Sequence, residues 1–197
     1  MSDPISLSEQ KAALRKAAQA ARVASARAAG PQAANQLARL FTGWPQGAGV
    51  AVVSGYLAIG TELDVAPVLS VFAKHGAEVA LPVVVGAARP LEFRRWQPGM
   101  ELEAGPLGTR HPPAESPALE PDLLLVPMLA FDDDGYRMGW GGGFYDRTLA
   151  QLRAVKKIIA VGIGYEGQRV DNIPRDDHDA GLDWIATESA LHKVPTL

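Results

Sequence analysis

The apolar positions of this chain gather into a few short unbroken runs, separated by stretches in which they recur at helical spacing. The most compact run is Leu123-Leu124-Leu125-Val126, closed off by Pro121 and Pro127. Such a run, with no polar alternation, is what a strand covered on both faces requires. Val50–Val53, Glu78–Val85, Ile158–Val161 and Trp184–Thr187 read as further strands. Between them lie helical patterns. Leu7 to Ala29 is rich in Ala, Lys, Arg and Gln, opens with capping-box spacing at Ser6 and Glu9, and is stopped by Gly30-Pro31. A second helix is expected from Gln32 to Phe41. A third follows Asp64, with Pro67 in its first turn and Val65, Leu69 and Phe72 turned inward. A fourth begins after Gly141-Gly142-Gly143, where Phe144, Leu149 and Leu152 return at helical spacing. Strands that alternate with helices predict parallel pairing in layers. The expected fold is therefore a single-domain, three-layer α/β/α sandwich over residues 1–197 with a mainly parallel, mixed central sheet. Residues 86–121 break the pattern, because proline and glycine recur there and only Leu91–Trp96 alternates; this reads as an excursion that walls a cleft.

The chemistry concentrates directly after the compact run. Phe131 to Arg147 reads FDDDGYRMGWGGGFYDR and carries five glycines and four aspartates. Strand, glycine-rich loop and helix together form an anion-binding arrangement: glycines let backbone N–H groups converge without a Cβ in the way, and the helix N-terminus adds partial positive charge. Asp146, in the first turn, is placed to hold a metal ion that accompanies phosphates. A flexible surface turn is the alternative. Trp140, Phe144 and Tyr145 argue against it, since flexible linkers are polar and Ser-rich.

Composition narrows the field by exclusion. A chain of 197 residues at 47% hydrophobic content buries one sizeable core. The absence of cysteine removes disulfides, thiolate metal sites and a cysteine nucleophile together. A net charge of −3 supplies no global attraction to nucleic acid or anionic membrane, and no run approaches a membrane span or a secretory signal, so a cytoplasmic monomer is expected. The charge is nevertheless unevenly spread. No acid occurs from Gln10 to Thr61, and Lys11, Leu14, Arg15, Ala18 and Arg22 share one helical face. That face is either solvated or leans over the site to supply cations.

No GxxxxGK[ST], GxSxG or HExxH occurs. Gly162 to Gly167 is formally GxGxxG after a strand, but Pro174 and the polar run from Gln168 to Asp179 replace the apolar helix that a dinucleotide site needs, so the sheet is Rossmann-like without that fingerprint. His178, between Asp177 and Asp179, is a candidate base or metal ligand. Asp146 and Asp179 both follow predicted central strands, and two carboxylates there suit Mg²⁺ bound together with nucleotide phosphates. The residues alone describe an α/β enzyme that handles a Mg-bound phosphate compound.

The pattern Pro127-x-Leu129-Ala130-Phe131-Asp132-x-x-Gly135-x-Arg137-x-Gly139-x-Gly141-Gly142-Gly143-Phe144-Tyr145-Asp146-Arg147 resembles the signature of the 5-formyltetrahydrofolate cyclo-ligase family. Lys11-x-x-Leu14-Arg15, Glu62-Leu63-Asp64 and Ile173-Pro174 through His178-Asp179, Asp183 and Thr187-Glu188 agree with it in order. The resemblance implies closure of 5-formyltetrahydrofolate to 5,10-methenyltetrahydrofolate, with ATP as co-substrate and Mg²⁺ as cofactor. It implies that Lys11, Arg15 and Arg137 neutralise phosphate, that Gly139 to Gly143 with Trp140, Phe144, Tyr145 and Asp146 form the ATP site, and that Asp146 and Asp179 hold the metal. Glu62 would bind the pterin, with Tyr56, Trp96, Trp140, Gly142 and Tyr145 around the folate; core packing is the other reading of Tyr56 and Trp96. Trp140 and Gly142 stand where some relatives are basic, and Phe144 where tyrosine is usual. A non-catalytic relative binding nucleotide, folate or RNA, and a sugar-phosphate or acyl-CoA enzyme on a similar sheet, are the rival readings.

Overall fold

In the computed structural model, which describes residues 5–195, the elements alternate as the apolar pattern implies. Helices Leu7–Ala29 (α1) and Ala33–Phe41 (α2) precede strand Val52–Ser54 (β1), helix Ala66–Lys74 (α3) and strand Glu78–Val83 (β2). Strands Glu92–Arg95 (β3), Glu103–Ala104 (β4) and Arg110–His111 (β5) follow, then Leu123–Pro127 (β6). A short ribbon of Ala130–Phe131 (β7) and Arg137–Met138 (β8) leads into helix Phe144–Val155 (α4). Strands Ile159–Ile163 (β9), Trp184–Ala186 (β10) and Leu191–Lys193 (β11) complete the chain. The ends of the expected unit, residues 1–4 and 196–197, lie outside the described residues.

Seven strands form the central sheet in the order β11-β10-β9-β6-β1-β2-β3. The five inner strands run parallel, and β3 and β11 add antiparallel edges. In β6 the first four residues are buried, because both of its faces are covered. Leu123 and Leu125 join Leu37, Phe41, Leu69 and Phe72 on the face under α2 and α3, while Leu124 and Val126 join Leu149 and Leu152 under α4. That division gives the three layers. The amino end of the sheet is closed by Asp122, whose Oδ2 accepts the N–H groups of Ala51 and Val52 at 3.1 and 2.9 Å while Oδ1 pairs with Lys156.

Several expectations shift by a residue or two. The strand expected at Val50–Val53 is Val52–Ser54, and the one expected to reach Val85 ends at Val83. Gly162 to Gly167 passes into a single 3₁₀ turn at Glu166–Gln168 and not a helix, in line with its rejection as a dinucleotide fingerprint. The Gln168 amide is buried and donates to the carbonyls of Met128 and Leu129, pinning the chain where it leaves β6. Residues 86–121 supply β3, β4 and β5 and pack Leu91, Phe93 and Leu119 beside α4.

The order of the strands decides where a ligand can bind. From β1 the chain crosses to β2 through α3 on one face, and from β6 it crosses to β9 through α4 on the other. The β1–β6 pair is thus the topological switch point, and the loops beyond their carboxyl ends diverge to leave a crevice. Those loops carry Glu62 and the glycines.

Close packing within β9 makes a stability prediction. A Cβ on Gly162 would lie 2.9 Å from Met128 Sδ and closer still to Leu182 Cδ1. Gly162→Ala is expected to destabilise the fold by about 1–3 kcal/mol through overpacking, read as a lower urea midpoint at unchanged slope.

Candidate active site

Helix α1 lies across the carboxyl end of the sheet. Its small face makes this possible: Ala18 packs with Leu129, Ala130, Met138 and Ile173, and Ala18 and Arg22 are its buried residues. The face bearing Lys11, Leu14, Arg15, Ala18 and Arg22 is therefore turned onto the protein and not solvated. The capping box between Ser6 and Glu9 fixes where the helix begins.

Two neighbouring subsites result. The first is a cavity of ≈ 400 Å³ lined by Leu7, Ser8, Lys11, Arg15, Gly141 and Asp176. Arg15 Nε donates to the Gly139 carbonyl at 3.0 Å, which sets its guanidinium against Gly141. Gly141 has φ +98° and Gly143 φ +63°, a conformation that side chains rarely adopt. Gly143 also N-caps α4 without any side-chain hydrogen bond, so the first-turn N–H groups stay available to an anion. Gly142 differs from its neighbours. A Cβ there would meet the Phe144 ring at 2.6 Å, so its smallness accommodates an aromatic side chain that packs toward α4's core.

The second subsite centres on Glu62, whose side chain is only 8% exposed. Its Oε1 accepts from Arg22 Nη1 at 3.2 Å and from the Trp140 indole N–H at 3.5 Å, and Oε2 accepts the Ile59 N–H at 2.9 Å. The Arg22 guanidinium lies 5.2 Å from the Trp140 ring centre, and Trp140 is 57% exposed. The half-buried Tyr145 stands close by: burial, and then the charge of Glu62, push its phenol well above the ordinary tyrosine range.

The carboxylates are already engaged. Lys11 Nζ pairs with Asp179 at 2.6 Å and with Asp176 at 3.0 Å. Arg137, 5% exposed, donates to Asp146 at 2.7 Å and to the Ala180 carbonyl, while the Ala180 N–H also binds Asp146. Asp146 and the residue after Asp179 are thus tied together. Asp132 accepts the N–H groups of Tyr136 and Ile173 in the buried interior, so this acid shapes the ribbon.

The model of the 5-formyltetrahydrofolate cyclo-ligase family matches residues 7–188. The chain belongs to this family. A 5-formyltetrahydrofolate cyclo-ligase of Mycolicibacterium smegmatis is 35% identical over 161 residues, covering 76% of this chain and 81% of that one. One from Escherichia coli K12 is 33% identical over 144 residues, covering 71% and 79%. Among solved structures, the Aquifex aeolicus 5,10-methenyltetrahydrofolate synthetase superposes with a TM-score of 0.77 at 27% identity, covering 94% of this chain and 93% of that one.

Within the cyclo-ligase fold two of the expected site residues, both aromatic, require correction. Trp96 donates its N–H to Val79 near the start of β2, so it lies at the amino end of the sheet, opposite the crevice. Tyr56 is a core residue whose hydroxyl is taken up by the Leu63 carbonyl at 2.7 Å. Arg137 is enclosed against Asp146 and the Ala180 carbonyl, while Lys11 and Arg15 are the cations that line the cavity. His178 contributes a backbone N–H to Asp176, and its ring has no described partner. Conversely, Arg22 was visible on the helical face, yet nothing local shows that it meets Glu62 from forty positions away. Asp176 reaches the cavity by the same kind of long-range contact.

Among the described residues no three His, Asp or Glu side chains gather into a metal-binding cluster. Asp146 and Asp179 nevertheless each direct one oxygen to two protein donors and keep the other without a described partner. One or two carboxylate oxygens completed by water and phosphate suit Mg²⁺, so the donor set fits.

The clamp at Lys11 predicts a pH dependence. Burial lowers the Lys11 ammonium, but Asp179 and Asp176 outweigh it and hold the group above its ordinary value. Lys11 in turn holds the Asp176 carboxyl below its ordinary value. The lysine contribution is complete below about pH 10.4 and is lost as pH rises through the higher folded value; the Asp176 contribution is complete above about pH 3.9 and is lost as pH falls through the lower folded value. The stability gap between the wild type and Lys11→Met, from urea unfolding across pH, is expected to be flat between about pH 5 and 9 and to close on both sides.

Proposed function

We propose that this enzyme converts 5-formyltetrahydrofolate to 5,10-methenyltetrahydrofolate at the expense of ATP, with ADP and phosphate released. The observation that carries this reading is the placement of both subsites along one helix: Lys11 and Arg15 at the glycine cavity, and Arg22 at the Glu62 carboxylate. A cavity lined by Lys11, Arg15 and Gly141 suits a triphosphate. A shielded carboxylate suits the paired N–H donors of a pterin, beside the open face of Trp140.

The formyl oxygen attacks the γ-phosphorus as the bond to the ADP oxygen breaks. The other folate nitrogen then attacks the formyl carbon, the carbon–oxygen bond breaks, and phosphate departs while the attacking nitrogen gives up its proton. Neither step needs a nucleophilic side chain; each needs alignment and charge neutralisation. Lys11 and Arg15 neutralise phosphate oxygens, the N–H groups at Gly141 to Gly143 and the start of α4 hold them, and Glu62 orients the pterin. Mg²⁺ held by Asp146 and Asp179 would add charge neutralisation at the phosphates.

The test is an absorbance assay for methenyltetrahydrofolate with 5-formyltetrahydrofolate, ATP and Mg²⁺, alongside reactions lacking each. Product is expected only when all are present, and product formed without ATP would overturn the reading. Glu62→Gln is expected to raise the folate dissociation constant about tenfold or more with the nucleotide constant nearly unchanged, because a ligand donor is left unpaired.

The glycine cradle makes a separate prediction. Gly141 tests it better than Gly142, where the Phe144 ring confounds any substitution. Gly141→Val meets both the positive φ and the Arg15 guanidinium, so calorimetric binding of a non-hydrolysable ATP analogue is expected to vanish while a thermal melt shows the fold retained.

A further inference from the structure

We propose that Arg22 is a positioning residue for Glu62, fixing the carboxylate so that it offers two acceptor sites to a ligand edge bearing two adjacent N–H donors. This rests on the folate reading above and assigns a device within it.

The isolation of Arg22 carries the argument. It is 7% exposed, the one buried charge on a helix whose other buried residue is alanine. Among the described residues its sole polar partner is Glu62, and its Nε is enclosed without any partner. A guanidinium that served to fasten the helix would gather carbonyls or several carboxylates. Fastening is supplied elsewhere, by Lys11 at Asp176 and Asp179, by Arg15 at the Gly139 carbonyl and by Ala18 in its apolar cluster. Burying a guanidinium is unfavourable unless a carboxylate compensates it, so the pair fixes both members.

Counting acceptor sites on Glu62 gives the consequence. A carboxylate offers about four, two on each oxygen. Arg22 and Ile59 occupy one on each oxygen with firm bonds, and the indole of Trp140 occupies a third at a length where the bond is weak. The fourth, on Oε2, has no described donor. A ligand with two adjacent donors takes that site and displaces the indole from Oε1, while Arg22 and Ile59 stay in place. Trp140 then remains against the Arg22 guanidinium with its outer face exposed to the ligand. Without Arg22, Oε1 has no firm donor and the carboxylate can rotate.

The experiment measures calorimetric affinities for 5-formyltetrahydrofolate and for a non-hydrolysable ATP analogue in the wild type, Arg22→Met, Arg22→Lys, Glu62→Gln and the Arg22→Met/Glu62→Gln double variant. Arg22→Met is expected to weaken folate about tenfold or more, to leave the analogue within about twofold, and to cost under about threefold once Glu62 is already Gln. Equal weakening of both ligands, or full additivity in the double variant, would show a strut and overturn the proposal. Should Arg22→Met not fold, Arg22→Lys decides: its ammonium lacks the planar fork, so folate is expected to weaken at least about threefold with the analogue unchanged, and unchanged folate affinity overturns the proposal. A wild-type protein that binds no folate overturns the functional reading as well; a wild type that binds it as tightly as Arg22→Met overturns the assignment of Arg22 alone.

Discussion

Parallel pairing of β1 with β6 at the middle of the sheet is the constraint from which the site follows. Parallel neighbours need crossovers, and here the crossovers leave by opposite faces, through α3 and through α4. Their outgoing loops must therefore separate just beyond Ser54 and Pro127. The crevice that opens there receives Glu62 from one loop and the glycines from the other, and α1 covers it because the small Ala18, buried against Leu129, Ala130, Met138 and Ile173, lets the helix approach the β7–β8 ribbon. Register along this pair is held at the opposite end by Asp122, which accepts two N–H groups of the β1 segment while its other oxygen holds Lys156.

Electrostatics divides the cations of the site by availability. Arg137 and Arg22 are enclosed with carboxylate partners, and each serves to hold an acid in one orientation. Lys11 is paired but partly accessible, and Arg15 makes its one described hydrogen bond to a carbonyl, so its charge is uncompensated by any described acid. Arg15 is thus the least compensated of these cations. Under the proposed function, a triphosphate in the cavity would compete with Asp176 and Asp179 for Lys11. The loop lacks basic residues at Trp140 and Gly142, and α1 supplies charge from outside it.

Much of the fold was legible because its physical causes are local. An unbroken apolar run at Leu123–Val126 can be stable only between two layers, Gly30-Pro31 cannot continue a helix, and a glycine triplet ahead of helical spacing marks a turn into an α-helix. The site was legible in part for the same reason. Lys11 and Arg15 share a helical face, and glycines at 141 and 143 take left-handed conformations that other residues disfavour.

What the chain alone determined is therefore the alternation of strands and helices, the glycine-rich turn of residues 139–143 ahead of a helix, the exclusion of cysteine chemistry and the family signature. Tertiary structure decided the rest, since each remaining question depends on contacts between residues far apart in sequence. Trp96 and Tyr56 have the aromatic character of ligand-stacking residues, yet one is carried to the amino end of the sheet by the antiparallel turn into β3 and the other is closed into the core. Arg137 and Arg22 are indistinguishable from free cations in sequence. Burial opposite Asp146 and Glu62 makes them fixed partners, because a guanidinium withdrawn from water is stable only where a carboxylate has been withdrawn beside it.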